Sequence, residues 1–327
     1  MEYKSKMHFK TFIIFGGCGF IGAHTKSLLK EKYPEAKVYV ADLLGDDSEF
    51  SQHIDVREPI DMKGDFGPDT LIFNFAAIHR TPGHPDYAYF ETNIRGAENV
   101  CEFARKKNIN NIVFTSSIAP YGAAEELKTE DTLPTPNTPY GISKLVAEKI
   151  HQTWAAETAE RKLSIVRPGI VFGTGENGNM TRLYRGLKSH KFAYAGRKDT
   201  IKACIYVKDL VHVMLAMAEN EQADKVQLHN CCYYPSFTIE QIANAMLKAT
   251  GMNRFIPYIP KKPMMAAATV CGLLGGLGLG ICPARVKKLM ISTNVDGQKL
   301  SKNYPLNYTL EEAFKDWFND CEQKELV

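Results

Sequence analysis

The chain has 327 residues, 44% of them hydrophobic and 24% charged, the proportions of an ordinary globular protein with room for one sizeable core and a smaller lobe. The formal charge of +3 is spread without a long block of Lys or Arg, which argues against nucleic acid as the main partner. Eight cysteines (Cys18, Cys101, Cys204, Cys231, Cys232, Cys271, Cys282, Cys321) form no CxxC pair and no metal-like spacing with histidine, so we expect no metal site and read them as reduced thiols of a cytoplasmic protein.

Met1–Lys10 is polar and basic, without the pattern of a signal peptide. The first β-rich run, Thr11–Phe15, passes at once into Gly16-Gly17-Cys18-Gly19-Phe20-Ile21-Gly22, and a helical pattern covers Phe20–Lys32. In that setting Gly16 allows a tight turn, Gly19 lets the backbone approach a pyrophosphate, and Gly22 lets helix and strand pack closely. The helix N-terminus offers free N–H groups to the anion. Gly16, Gly19, Phe20, Ile21 and Gly22 are therefore candidate dinucleotide contacts.

A second run, Lys37–Ala41, ends at Asp42, 20 residues beyond Gly22. A carboxylate there accepts hydrogen bonds from the adenosine ribose hydroxyls and repels a 2′-phosphate, so the expected cofactor is NAD rather than NADP. Asp55 and Val56 are candidate neighbours of the adenine, with an ordinary loop as the alternative.

Further runs at Leu71–Phe75, Ile112–Ser116 and Leu163–Arg167 alternate with helical patterns. Over Tyr87–Lys107, Ile94, Ala97, Cys101 and Ala104 fall on one face; over about Tyr140–Thr158, the spacing places Ile142, Val146, Ile150 and Trp154 toward the core. Such alternation predicts an α/β fold: a Rossmann-type doubly wound parallel sheet with a smaller mixed α/β lobe. Tyr140 and Lys144 are spaced i, i+4 and share a helix face. A tyrosine near pKa 10 is a poor base at neutral pH, and a neighbouring ammonium would bring it down. Such a phenol can move a proton on or off a carbinol oxygen while hydride moves at carbon.

Beyond Pro168 the pattern loosens into a loop over Gly173–Asn179, a basic stretch from Arg182 to Lys202, a strand at Ile205–Val207 and a helix from Asp209 to about Glu219. The expected organisation is a dinucleotide domain over 1–172, to which 203–232 returns, interleaved with a substrate lobe over 173–327. From Met264 to Cys282 there is no charged residue, yet five glycines interrupt it. It reads either as a buried helix and glycine turn or as a peripheral membrane contact edged by Lys261, Lys262, Arg285, Lys287 and Lys288.

Gly16–Gly22, Asn74-Phe75-Ala76-Ala77, Asn93-Ile94-Arg95-Gly96, Thr115-Ser116-Ser117, Pro139-Tyr140-Gly141-Ile142-Ser143-Lys144, Arg167-Pro168 and Tyr206-Val207-Lys208-Asp209 occur in the order seen in extended short-chain dehydrogenases. More narrowly the chain resembles their NAD-dependent epimerase/dehydratase branch, well over about the first 215 residues and loosely beyond. The resemblance implies Tyr140 as acid/base, Ser117 as its catalytic partner on the sugar oxygen with Ser116 in reserve, and Lys144 also on the nicotinamide ribose. It implies that Phe75, Ala76 and Ala77 line the cofactor, that Asn93 braces the region behind the site, and that Pro168 meets the nicotinamide. Asn177 or Asn179 would begin the loop that meets a nucleotide sugar. Lys202 stands where the family commonly has a diphosphate-gripping arginine, with Arg197 or Arg182 as substitutes; His79, Arg80 and His84 are either substrate contacts or solvated loop residues.

The resemblance implies a nucleotide-sugar substrate and a homodimer paired through the helices near 87–107 and 140–158. A dehydratase would carry an Asp-Glu pair after the active-site hydroxyl residue, where this chain has Ile118 and Ala119. Epimerisation at C4 is the favoured reaction. A ketosugar reductase, a sterol-type alcohol dehydrogenase and a non-catalytic NAD sensor are the alternatives.

Overall fold

A computed structural model of the chain describes residues 9–79, 83–263, 269 and 290–327. Its first compact unit comprises Met1–Gly122, Glu130–Pro168 and Val207–Cys231. Here β1 (Thr11–Phe15), β2 (Lys37–Asp42), β3 (Ser51–His53), β4 (Thr70–Asn74) and β5 (Asn111–Thr115) alternate with α1 (Phe20–Lys32) and α2 (Asp86–Lys106). After β6 (Ala124–Lys128) come α3 (Pro139–Ala156), β7 (Lys162–Pro168), β8 (Ile170–Phe172), α4 (Asn179–Lys188), β9 (Tyr194–Ala195) and β10 (Cys204–Tyr206). Then follow α5 (Val207–Glu219) and β11 (Val226–Cys231).

Seven of these strands form one parallel sheet in the order β11-β7-β5-β4-β1-β2-β3. Every residue of β1 and β4 is buried, which is why both read as unbroken apolar runs; only parallel strands covered on both faces need that pattern. The strand order reverses beside β1, with β2 on one side and β4 on the other. In an open α/β sheet the crevice beyond the strand C-termini at such a reversal is where ligands bind. The expected fold class holds.

Beneath the sheet, Ile13, Phe15, Ile72, Phe103 and Trp154 are buried in one cluster. One detail departs from the sequence reading. In α3 Trp154 is buried, but Ile142 and Val146 are 39% and 36% exposed. The inward face instead carries Ser143, Lys144, Glu148 and His151. A helix normally buries its apolar stripe; this one is turned so that its polar stripe is inside, and its buried groups find partners described below.

The second unit comprises Ala123–Thr129, Gly169–Tyr206 and Cys232–Val327. Among the described residues it holds three two-stranded parallel pairs: β8 with β10, β6 with β13 (Thr293–Val295), and β9 with β12 (Tyr258–Ile259). Its core stacks Phe172 on Phe314, ring centres 4.8 Å apart, with Trp317 beside both. The short excursion Ala123–Thr129 has no counterpart in the sequence reading. No helix among the described residues is long and apolar enough to cross a membrane. The stretch 264–282 lies outside the described residues, Thr269 excepted.

Candidate active site

The turn after β1 is shaped for close approach. Gly16 has φ +75°, and a Cβ there would stand 2.8 Å from the Ala76 nitrogen and 3.0 Å from the Phe75 carbonyl carbon. A Cβ on Gly22 would stand 2.5 Å from the Gly16 oxygen. Gly19 caps α1, a Cβ there would stand 3.2 Å from the Gly16 oxygen, and its N–H donates to the Gly16 carbonyl over 3.1 Å. Phe75 and Ala76, at the C-terminal end of β4, thus form the other wall of the turn, with Ala77 following. Any side chain would close this cradle, and no intrahelical acceptor uses the first N–H groups of α1.

Asp42 ends β2 and locks the turn: one carboxylate oxygen accepts from the Cys18 N–H at 3.0 Å and the other from the Leu44 N–H at 3.1 Å. Asp55 is held by a bidentate pair with Arg57, contacts running from 2.5 to 3.0 Å, and that pairing keeps its carboxyl below the usual range. Val56 is buried, its side chain against Gly96 and its carbonyl accepting from the Asn99 amide at 2.8 Å.

Tyr140 sits in the first turn of α3, which Thr138 caps by accepting from the Gly141 N–H and Pro139 opens. The Ser117 hydroxyl, just past β5, accepts from the Ala119 N–H at 3.1 Å and lies near enough to the Tyr140 phenol to draw its pKa down. The Ser116 hydroxyl instead donates to Glu148 over 2.5 Å inside the core, so of the two serines only Ser117 faces the tyrosine. Asn93 on α2 staples three segments together. It accepts from the Ile78 N–H, donates to the Ile78 carbonyl, and donates to the Ser143 hydroxyl, which donates to the Tyr140 carbonyl. These bonds put Asn93 behind the tyrosine as a brace. Pro168, buried at the end of β7, accepts from the Ile118 N–H.

The electrostatics do not follow the sequence reading. Burial pushes the Tyr140 phenol above its ordinary value, opposed only by the neighbouring Ser117 hydroxyl, and Lys144 takes no part. The reason is where the ammonium lies. Lys144 is 2% exposed and its Nζ sits over the Phe114 ring, 4.4 Å from the centre. Burial brings its own pKa down to about 7, with Glu148 pulling the other way. A half-neutral lysine cannot act as the fixed cation that depresses a phenol.

One turn further along α3 lies a group of residues to which the sequence reading gave no role. Glu148 and Arg167 form a buried bidentate ion pair at 2.8 and 2.6 Å. Arg167 also donates to the Tyr121 hydroxyl at 2.7 Å, and Tyr121 donates to Asn230 at 2.9 Å. Nearby, His151 stacks on Phe114 at 4.1 Å and Asn74 bonds its Nε2 over 3.2 Å. Tyr140, Lys144 and Glu148 follow one another at i, i+4 and i+8, so that spacing was the available signal.

The remaining predicted contacts are scattered. His79 is exposed and Arg80 lies outside the described residues; His84 packs edge-on against Tyr89, which in turn neighbours Tyr140. In the second unit Asn177 and Asn179 are exposed, and Arg182 donates to Asn179. The Arg197 guanidinium is taken by Asp199 and Glu125, while Lys202 donates to the Ile291 carbonyl at 2.8 Å.

Comparison with known proteins places this geometry. The NAD dependent epimerase/dehydratase family matches residues 12–232. An Escherichia coli O157:H7 protein, N-acetyl-alpha-D-glucosaminyl-diphospho-ditrans,octacis-undecaprenol 4-epimerase, is 29% identical over 76% of each chain. Two solved structures share the fold. UDP-glucuronic acid 4-epimerase from Bacillus cereus, in complex with NAD, has TM-score 0.71 and 18% identity over 96% of each chain. L-threonine dehydrogenase from Clostridium difficile has TM-score 0.74 and 20% identity over 98% of this chain and 100% of that one.

Proposed function

The chain belongs to the NAD dependent epimerase/dehydratase family, an NAD-using enzyme family, and from that premise we propose that it is a cytoplasmic enzyme inverting C4 of a sugar carried on a nucleoside diphosphate. One observation carries the reading. The Ser117 hydroxyl neighbours the Tyr140 phenol and draws its pKa down, in the same unit as a glycine turn in which a Cβ on Gly16 or Gly22 would collide with backbone. Gly16, Gly19, Phe20, Ile21 and Gly22 would hold the pyrophosphate, Asp42 the adenosine ribose, and Asp55 and Val56 the adenine. Phe75, Ala76, Ala77 and Pro168 would line the rest. NAD when bound supplies reversible hydride acceptance.

The chain's own residues do the rest. Ser117 orients the C4 hydroxyl and Tyr140, in its phenolate form, takes the proton that leaves it, then returns it once the 4-keto sugar has presented its other face. Lys144 steadies the ribose hydroxyls, Asn93 fixes the helix that carries Tyr140, and no carboxylate pair follows Ser117 to eliminate water. For the diphosphate we assign Lys202 with Asn177 and Asn179 ahead of Arg197, whose charge two carboxylates already neutralise. The half-exposed Ile142 and Val146 of α3 fit burial against a second copy, so we propose a homodimer through that helix.

A second reading concerns the carrier. The Escherichia coli relative acts, by its name, on a sugar joined through a diphosphate to undecaprenol, and the same Ser117–Tyr140 chemistry would serve a polyprenyl carrier. The purified protein, given UDP-glucose or UDP-N-acetylglucosamine without added NAD, should form the galacto epimer. Failure on both, with turnover of the polyprenyl-diphosphate sugar, favours the second reading; steady NADH consumption with a keto substrate would instead mark a reductase.

A further inference from the structure

Charge is unevenly shared along this chain. Gln241–Val295 carries seven Lys or Arg and no Asp or Glu, while the other residues hold the remaining 33 Lys and Arg against all 37 Asp and Glu. Inside that acid-free stretch are the nineteen uncharged residues Met264–Cys282. The described residues on either side lie on the surface of the second unit. Phe255 is 88% exposed and Tyr258 48%, and Arg254, Lys261 and Lys262 are exposed and pair with no carboxylate among the described residues.

Two described residues on opposite sides of that stretch, Lys261 and Met290, meet at one glycine. A Cβ on Gly196, whose φ is +75°, would collide with Met290 Sδ and stand 3.4 Å from Lys261 Cβ, and the Tyr258 hydroxyl donates to the Gly196 carbonyl over 3.0 Å. Lys261 and Met290 therefore flank one glycine. Tyr258, Lys261 and Met290 thus gather at Gly196, and the exposed Arg254, Phe255 and Lys262 lie in the same short segment of chain, Arg254–Lys262.

We propose that this patch, built on Arg254, Phe255, Tyr258, Lys261 and Lys262, docks the protein on an anionic phospholipid bilayer. Clustered cations are drawn to the negative surface of such a membrane, and aromatic rings settle at headgroup depth. A polyanion such as RNA would account for the cations but not for an almost fully exposed phenylalanine among them in the sequence. The contact is peripheral. It gains meaning from the second reading of function, on which it rests for its purpose though not for its test: a sugar diphosphate anchored in lipid can only be reached at the bilayer surface.

The test is co-sedimentation of the full chain with vesicles of phosphatidylcholine and phosphatidylglycerol in equal parts, and with phosphatidylcholine alone. Binding is expected to the mixed vesicles, weakly or not at all to the neutral ones, and to fall as salt rises. Lys261→Ala with Lys262→Ala should weaken it about thirtyfold, at roughly fivefold per cation near an anionic surface, and Phe255→Ala should weaken it independently of salt. Failure to bind the mixed vesicles, equal binding by the double variant, or capture by single-stranded RNA in place of vesicles would each overturn the proposal. Epimerisation of soluble UDP-sugars, measured on the same samples, reports on the catalytic reading separately.

Discussion

Replacing Lys144 by methionine should stabilise this protein while silencing it. The ammonium is 2% exposed and burial has brought its pKa from 10.5 to about 7. A lysine shifted by that interval makes the protonated folded chain less stable by on the order of 5 kcal/mol. The penalty is fully present below about pH 7, where folded and unfolded chains both hold the proton. It fades toward the unfolded value of 10.5, because in between only the unfolded chain stays protonated.

The attraction of the ammonium for the Phe114 ring depends on its charge and is already contained in that lowered pKa, so losing it costs nothing further. Methionine fills a similar volume, and Glu148 keeps Arg167 as its partner. Lys144→Met should therefore exceed the parent by up to about 5 kcal/mol at about pH 6, with the gap closing by about 1.4 kcal/mol per pH unit above neutrality. Urea denaturation at several pH values measures this, alongside loss of turnover. A variant less stable than its parent at acid pH, or a gap that ignores pH, would refute the reasoning.

Three further outcomes follow from the same geometry. Tyr140→Phe should abolish turnover and spare NAD binding by calorimetry; undiminished turnover would remove Tyr140 from the role assigned to it. Gly16→Ala should lose NAD binding and about 1–2 kcal/mol of stability from the left-handed backbone alone, and normal cofactor affinity would show that the turn is not the pyrophosphate cradle. Glu148→Gln leaves the Arg167 guanidinium buried without its anion and should lower unfolding free energy by about 3–5 kcal/mol; an unchanged urea midpoint would mean that the ion pair is dispensable.

The parallel sheet was legible because its buried strands are largely apolar on both faces, as Phe12–Phe15 and Ile112–Phe114 show from composition alone. The glycine turn and Asp42 were legible because their spacing from the first strand is local. The facing of α3 was not, since Ile142 and Val146 look like a core stripe until Glu148 meets Arg167 from another strand and Lys144 meets Phe114. The same holds for Arg197, whose partner Glu125 lies 72 residues away, and for the phenol of Tyr140, whose acidity depends on how deeply its hydroxyl is buried. Local spacing identified which residues share the Tyr140 face; it could not say which of them carry charge once desolvated.

Both compact units are assembled from three separated stretches of chain, and that has a consequence for how the molecule comes into being. During synthesis β7 waits for β11, whose first residue is Val226, and β6 waits for Thr293–Val295 near the far end. Neither unit can close as its own residues leave the ribosome. The apolar edge of β7 and the strand Ala124–Lys128 stand open in the nascent chain until late, when such edges invite mispairing. Yield from a cell should therefore respond more to temperature and chaperone supply than to the number of copies of the message.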